Sequence, residues 1–405
     1  MNILHITPVY EPAWIYGGVV RAVSQLCREL VNLGINITVY TTNANGLNRY
    51  SINPDEEIQL GGVKVFRFPV VANTNYFYSP ILSQFLAKNI MNFDLVHIAS
   101  IWNYPGLPSV LYAKKFSIPY IFSAHGSLIS ENYPGTRIKN IKKWLYYQFF
   151  LKNGFRDAAA IHYTANMERI ESEKLLKMRV PSFIVPNGID TNEFDQLPSR
   201  SSSKEFFDKL NPESKVVSYL GRLHPRKALD VLVHGFKLAL SRNENLELLL
   251  AGPDGGHEQY LRSLVKSLGI ENKVHFLGLL DPEKRRMFFS FTDLFILAGY
   301  SGENFGVSAV EAMASGIPVI VSGHVCIYPD IVKNGAGIQV QVSKDEISEA
   351  IIKIFSDPEL IKEMGEAAYR TARKFYEKTR TSQLMMLAYK DILLGKRSSE
   401  CNWSN

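Results

Sequence analysis

The sequence predicts an α/β protein built from two doubly wound domains. Three observations carry that expectation. Short apolar, β-branched runs alternate with stretches whose apolar residues recur at helical spacing. The alternation stops and restarts near residue 190. The length of 405 residues suits two or three domains of ~150 residues each.

In order, Met1–Ile6 opens the chain as an apolar run. Gly17-Gly18 follows, and Val19, Val20, Ala22, Val23, Leu26, Cys27, Leu30 and Val31 recur at helical spacing until Gly34. Ile35–Tyr40 is β-branched, and Val63–Phe68, Leu95–Ala99, Tyr120–Ala124 and Ala159–Thr164 read as further strands. Helices between strands imply a parallel sheet. Phe183–Val185 runs into the turn signal Pro186-Asn187-Gly188, and residues 197–214 are polar and rich in serine and proline. The second series is Val216–Leu220, Leu246–Ala251, Val274–Leu277, Leu294–Leu297 and Val319–Val321, with amphipathic Tyr260–Leu268 and Ile347–Phe355 between. The expected domains are 1–190 and 191–377.

Hydrophobic residues make up 46% and charged residues 21%, enough apolar surface for packed cores, which excludes a disordered chain. A net charge of +6 is too small for a nucleic-acid partner without a localised patch, but it suits anionic small molecules or an anionic membrane. Cys27, Cys326 and Cys401 are widely spaced, which argues against a zinc site or a disulfide framework and fits a reducing compartment. MNILHITPVYEPAW lacks the basic and apolar regions of a signal peptide, and Ala312–Pro329 is interrupted by glycine, proline and serine. The expected location is cytoplasmic, with peripheral contact at the inner face of the membrane as an open alternative. That contact would run through 136–156, where Arg137, Lys139, Lys142, Lys143, Lys152 and Arg156 are interleaved with Trp144, Tyr146, Tyr147, Phe149, Phe150 and Phe155. The competing reading packs those aromatics in a core.

The chemistry clusters in the second half. Gly221-Arg222-Leu223-His224-Pro225-Arg226-Lys227 follows a strand, where the ligand crevice of an open α/β sheet lies. Arg222 offers a forked guanidinium and Lys227 a point charge to phosphate. Glu303-Asn304-Phe305-Gly306 leads into the helical run Val307–Ala314, whose first N–H groups favour an anion. Glu311 lies eight residues beyond Glu303, among apolar neighbours.

On these residues the chain resembles the retaining glycosyltransferases of family 4, which have the GT-B fold. The matching positions are Gly17 and Gly18, Gly221-Arg222 with Lys227, the E-x7-E pair Glu303 and Glu311, and the EAMASGIPVIVS segment. The resemblance implies two Rossmann-like doubly wound domains facing each other across a cleft, with a C-terminal helix of about 378–396 packing back on the first. It implies a nucleotide-sugar donor held by Gly17, Gly18, Arg222, Lys227, Glu303, Asn304, Phe305, Gly306 and Glu311, with Glu311 on the ribose. His125, Arg222, Lys227 and Glu303 form the implied catalytic set, and no metal or other cofactor is implied. The acceptor would be a glycan or lipid-linked molecule, in polysaccharide or glycolipid synthesis. Three departures stand out, one being that Ala251-Gly252-Pro253-Asp254-Gly255-Gly256 is glycine-rich without the usual compact G-x-G ending, so that it would border the base without contacting it closely. Ala228 replaces a glycine frequent after the lysine, and Ala99 replaces the second histidine of a D-x-V-H-x-H pattern at Asp94–His97. Rival readings are a GT-B nucleotide-sugar epimerase, a non-catalytic sugar-nucleotide-binding protein, and a dinucleotide oxidoreductase. The last is disfavoured because no G-x-G-x-x-G follows the first strand.

Overall fold

The computed structural model describes residues 1–72, 76–99, 101–129, 141, 144–176, 180–200, 210, 213–300 and 303–396. They divide into two compact units. One takes the described residues up to Gly188 and from Lys378 onward, and the other runs from Ile189 to Glu377.

The N-terminal unit contains β1 (Asn2–Ile6), β2 (Asn36–Thr42), a hairpin of β3 (Ala44–Asn45) and β4 (Asn48–Arg49), β5 (Ile58–Leu60), β6 (Val63–Phe68), β7 (Leu95–Ala99), β8 (Tyr120–Ser123), β9 (Ala160–Tyr163) and β10 (Ser182–Ile184). Eight of these form one sheet in the order β10-β9-β8-β7-β1-β2-β6-β5. Neighbours are parallel except for β5 against β6. All five residues of β7 are buried, as a parallel strand covered on both faces requires. Leu4, Ile6, Val96 and Ile98 pack into one core layer. Ile3, Leu95 and Ala99 pack into the other, which includes Val23 and Cys27 of the helix Gly18–Asn32 and Met385, Ala388 and Tyr389 of the helix Lys378–Leu393.

The second unit contains β11 (Lys215–Leu220), β12 (Leu246–Ala251), β13 (Val274–Gly278), β14 (Leu294–Leu297), β15 (Val319–Ser322) and β16 (Gly337–Val340). They form a wholly parallel sheet in the order β13-β12-β11-β14-β15-β16. That order reverses direction between β11 and β14, the switch point where open α/β sheets bind ligands at the strand ends. The α/β class with parallel sheets in two doubly wound units is therefore as the sequence predicted. β5 and β16 had not been expected. β16 is hidden in the sequence by Asn334-Gly335-Ala336-Gly337, yet Gly337 pairs with Val319 of β15, and the position calls for glycine because a Cβ there would meet the Val319 carbonyl oxygen at 2.1 Å.

Candidate functional site

In the second unit the site is built by the loops that leave β11, β12 and β14. After β11, Leu223 N–H donates to the Pro253 carbonyl at 3.0 Å, and Gly255 N–H donates back to the Leu223 carbonyl at 2.8 Å. These bonds lock the Arg222 loop against the glycine-rich loop after β12. Glycine is needed for that approach, since a Cβ at Gly252 would lie 2.0 Å from the Gly221 carbonyl oxygen and one at Gly255 would lie 2.8 Å from Arg222 Cγ. Gly252 and Gly255 thus let the loop after β12 close against Gly221-Arg222, a role not evident from the sequence. Tyr219 Oη donates to the Arg222 carbonyl at 3.1 Å. Arg222 itself is exposed.

The chain then makes a one-turn helix, Pro225–Lys227, capped by His224 Nδ1, which accepts from Arg226 N–H at 3.1 Å. Ala228 closes it with φ of +50°, in the left-handed region. A glycine frequent at this position is explained by that conformation, which a Cβ disfavours. Tyr300 N–H donates to the Arg226 carbonyl at 3.0 Å, clipping the loop after β14 onto this turn. The fold then brings Lys227 and Glu303, 76 residues apart in sequence, into a direct ion pair with both side chains 18% exposed.

Gly306 caps the helix Val307–Ala314 with φ of +79°. A Cβ there would lie 3.0 Å from both Leu297 Cδ2 and Val325 Cγ1, so the left-handed turn and the tight packing both call for glycine. Phe305 is buried and packs edge-on to Tyr376 at 5.4 Å, anchoring the turn rather than presenting its ring. Glu311 is buried on the same helix and accepts from Arg285 Nη1 at 2.7 Å. Burial raises the Glu311 carboxyl above its usual range, and Arg285 opposes that rise. Arg285 also donates to Glu193 at 3.1 Å. Sequence reading missed Arg285, because Lys284, Arg285 and Arg286 look alike along the helix Pro282–Phe291 and only the fold shows which one points inward.

The other residues singled out in the sequence lie in the N-terminal unit. Gly17 has φ of +86° and caps the helix that Gly18 begins, with Trp14, Ile15 and Val19 exposed around it. His125 follows β8 with a left-handed φ of +43°, unusual for a residue with a Cβ. Its Nδ1 is buried without a hydrogen-bond partner among the described residues. Burial, with His162 and His5 nearby, pushes its imidazole down to about 3.

Of the basic aromatic segment, Arg137, Lys139, Lys142 and Lys143 lie outside the described residues. The rest divides. Tyr147, Leu151 and Phe155 enter the core, while Trp144, Phe149 and Phe150 are 58%, 76% and 59% exposed. Among the described residues no group of three histidine, cysteine or acidic side chains is placed to hold a metal, and no helix is long and apolar enough to cross a membrane.

Comparison with known proteins follows the same division. Residues 16–193 match the model of Glycosyltransferase Family 4, and residues 201–371 match that of Glycosyl transferases group 1. Mannosylfructose-phosphate synthase of Agrobacterium fabrum is 24% identical over 96% of this chain and 89% of its own. Alpha-monoglucosyldiacylglycerol synthase of Streptococcus pneumoniae is 24% identical over 80% of this chain and 71% of its own. The structure of Anabaena HepE, solved in complex with UDP and glucose, superposes with a TM-score of 0.75 at 17% identity, covering 96% of this chain and all of that one.

Proposed function

The chain belongs to glycosyltransferase family 4, and from that premise we propose that it moves a hexosyl group from a nucleoside-diphosphate sugar to a glycan or lipid-linked acceptor. Transfer proceeds with retention of anomeric configuration and without a metal ion. The observation that carries this reading is the meeting of Lys227 with Glu303 at the switch point between β11 and β14, beside the exposed Arg222 and the helix that Gly306 opens. The UDP and glucose in the HepE structure support a donor of this class.

The difficult step is departure of the diphosphate, on which negative charge grows. Arg222, Lys227 and the helix N-terminus supply fixed positive potential there, which is worth several kcal/mol where water is excluded. Arrival of the diphosphate gives Lys227 a new anionic partner and frees Glu303 to accept from sugar hydroxyls. Asn304, Phe305 and Gly306 contribute main-chain groups beside it, and Glu311, held by Arg285, receives the ribose. The reading names no protein nucleophile.

The test is a thermal-shift panel of UDP-, GDP- and ADP-sugars, followed by product analysis with the stabilising donor. The expected result is release of the nucleoside diphosphate with an α-linked product from an α-linked donor, unchanged in excess EDTA. Conversion of the donor sugar's stereocentre without any acceptor would establish the epimerase reading instead. Loss of activity in EDTA with recovery in magnesium or manganese would overturn the metal-independent site.

A lipid-linked acceptor is favoured by one further observation, the exposure of Trp144, Phe149 and Phe150 in a segment whose sequence carries six basic and no acidic residues. Sedimentation with vesicles containing anionic lipid, repeated for Phe149→Ser/Phe150→Ser, tests it. Equal binding of the two proteins would remove the membrane contact from the proposal.

A further inference from the structure

Three histidines that the proposed reaction does not use lie inside the N-terminal unit. His5 on β1 and His97 on β7 are register partners in neighbouring parallel strands, with ring centroids 4.4 Å apart. His162 on β9 is the register partner of Ser123 on β8. The three are 0%, 1% and 3% exposed. Burial, with neighbouring histidines adding to it in two cases, takes His5 down to about 3, His162 to about 4 and His97 well below its usual value. Each ring is therefore neutral at pH 7 and carries one proton on one nitrogen.

The hydrogen bonds then fix where every proton sits. His162 Nε2 lies 2.7 Å from the Val185 carbonyl, which only accepts, so Nε2 carries the proton and Nδ1 is a bare lone pair. That lone pair takes the hydroxyl proton of Ser123 at 2.6 Å. Ser123 Oγ in turn receives Nε2–H of His97. His97 Nδ1 is then bare and takes the Tyr389 hydroxyl proton at 2.6 Å. Tyr389 Oη accepts Nε2–H of His5 at 3.1 Å. His5 is left with a bare Nδ1, which is buried and has no partner among the described residues. His125 Nδ1 is buried and without a partner in the same way. Both rings line one cavity, closed by Val185–Gly188 and Met385, with about 10 Å³ of room for the centre of a water.

We propose that His5, His97 and His162 form a one-directional hydrogen-bond relay through Tyr389 and Ser123, and that its free end, the Nδ1 lone pair of His5, receives a single water that also holds His125 by its Nδ1. Two buried polar atoms without partners, on rings that line one water-sized cavity, are the arrangement that an ordered water satisfies. Tyr389, on the last helix of the chain, is thereby a positioning residue for His125, which it does not touch. The relay concerns the resting protein, so it stands or falls independently of the donor and of the reaction.

The test is long-range ¹H–¹⁵N correlation NMR on the full chain labelled with ¹⁵N-histidine, at neutral pH without ligand, in the wild type and in Tyr389→Phe. The wild type should show His5, His97 and His162 all protonated on Nε2 and none on Nδ1. In Tyr389→Phe, His5 loses its acceptor and His97 its donor. The nitrogens of His5, His97 and His125 should shift, while His162, held by Val185, keeps its proton on Nε2. A wild-type proton on Nδ1 in any of the three would overturn the relay, and this measurement needs no variant. An unmoved His125 in a folded Tyr389→Phe would overturn the shared water. Should that variant not fold, Ser123→Ala provides the second cut. It should shift His97 and His162, and unchanged nitrogens in both would overturn the chain of bonds.

Discussion

Lowering the pH from 7.5 to 4.5 should unfold the N-terminal unit by charging its buried histidines. His5, His97, His125 and His162 all have native pKa values depressed below 6.5, so the unfolded chain binds their protons first. Stability is fully present above 6.5 and is lost as the pH falls toward the native values near 3 to 4. Each such proton contributes a slope of about 1.4 kcal/mol per pH unit, and four together about 5–6 kcal/mol. Two units of acidification below 6.5 therefore remove roughly 11 kcal/mol, within the ~5–15 kcal/mol that holds a typical domain. Tryptophan fluorescence isolates the effect, because Trp14, Trp102, Trp144 and Trp403 all fall outside residues 189–377. Urea titrations followed at 350 nm should give an unfolding midpoint that drops steeply below pH 6. Glu311 in the other unit works in the opposite direction, since its raised carboxyl takes up a proton more readily when folded. Far-UV circular dichroism should accordingly retain signal after the fluorescence transition. An unfolding free energy from fluorescence that stays flat within about 1 kcal/mol between pH 7 and 5 would refute the reasoning.

Removing Arg222 takes away a charge-assisted contact of ~1.5–3 kcal/mol, so calorimetric affinity for the nucleoside diphosphate should fall at least tenfold in Arg222→Ala with the melting temperature unchanged. Arg285→Met leaves Glu311 buried without its cation and should destabilise the protein by about 3–5 kcal/mol in chemical denaturation, with Arg285→Met/Glu311→Leu recovering most of the loss. Gly306→Ala combines a left-handed penalty of ~1–2 kcal/mol with contacts at 3.0 Å to Leu297 and Val325, whereas Gly256→Ala, with φ of +88° and open space around it, should show the penalty alone. The difference between their unfolding midpoints in urea measures the packing part.

Strands made mostly of apolar residues were legible in spite of Lys64, Arg67, His97 and Glu247 within them, and Val63–Phe68, Leu95–Ala99, Leu246–Ala251 and Leu294–Leu297 have the expected ends. Runs of that kind are what a strand covered on both faces needs. β16 was not legible, because its need for Gly337 comes from β15, a neighbour the local sequence does not describe. The same limit applies to the site. Arg222, Lys227, Glu303 and Gly306 stood out because each sits at a strand end or helix start, a position that local patterning marks. That Lys227 would face Glu303, or that Arg285 would be the buried member of three adjacent cations, depends on pairings across 76 and 26 residues. His5 and His162 had no local signal, since a single histidine in an apolar strand does not announce the strand it will lie beside.

The helix Lys378–Leu393 gives the N-terminal unit a late dependency. Met385, Ala388 and Tyr389 complete a core layer with Ile3, Val23 and Cys27, and Lys378 pairs with Glu29 at 3.1 Å. Residues 189–377 are contiguous and already made when the ribosome reaches this helix. During synthesis the unit that begins the chain is therefore the one that finishes last, with part of one side of its sheet uncovered while the whole of the other is translated. A message truncated after residue 377 would yield a chain whose second unit has all its parts and whose first has an open apolar face, a natural target for chaperones and for proteolytic quality control.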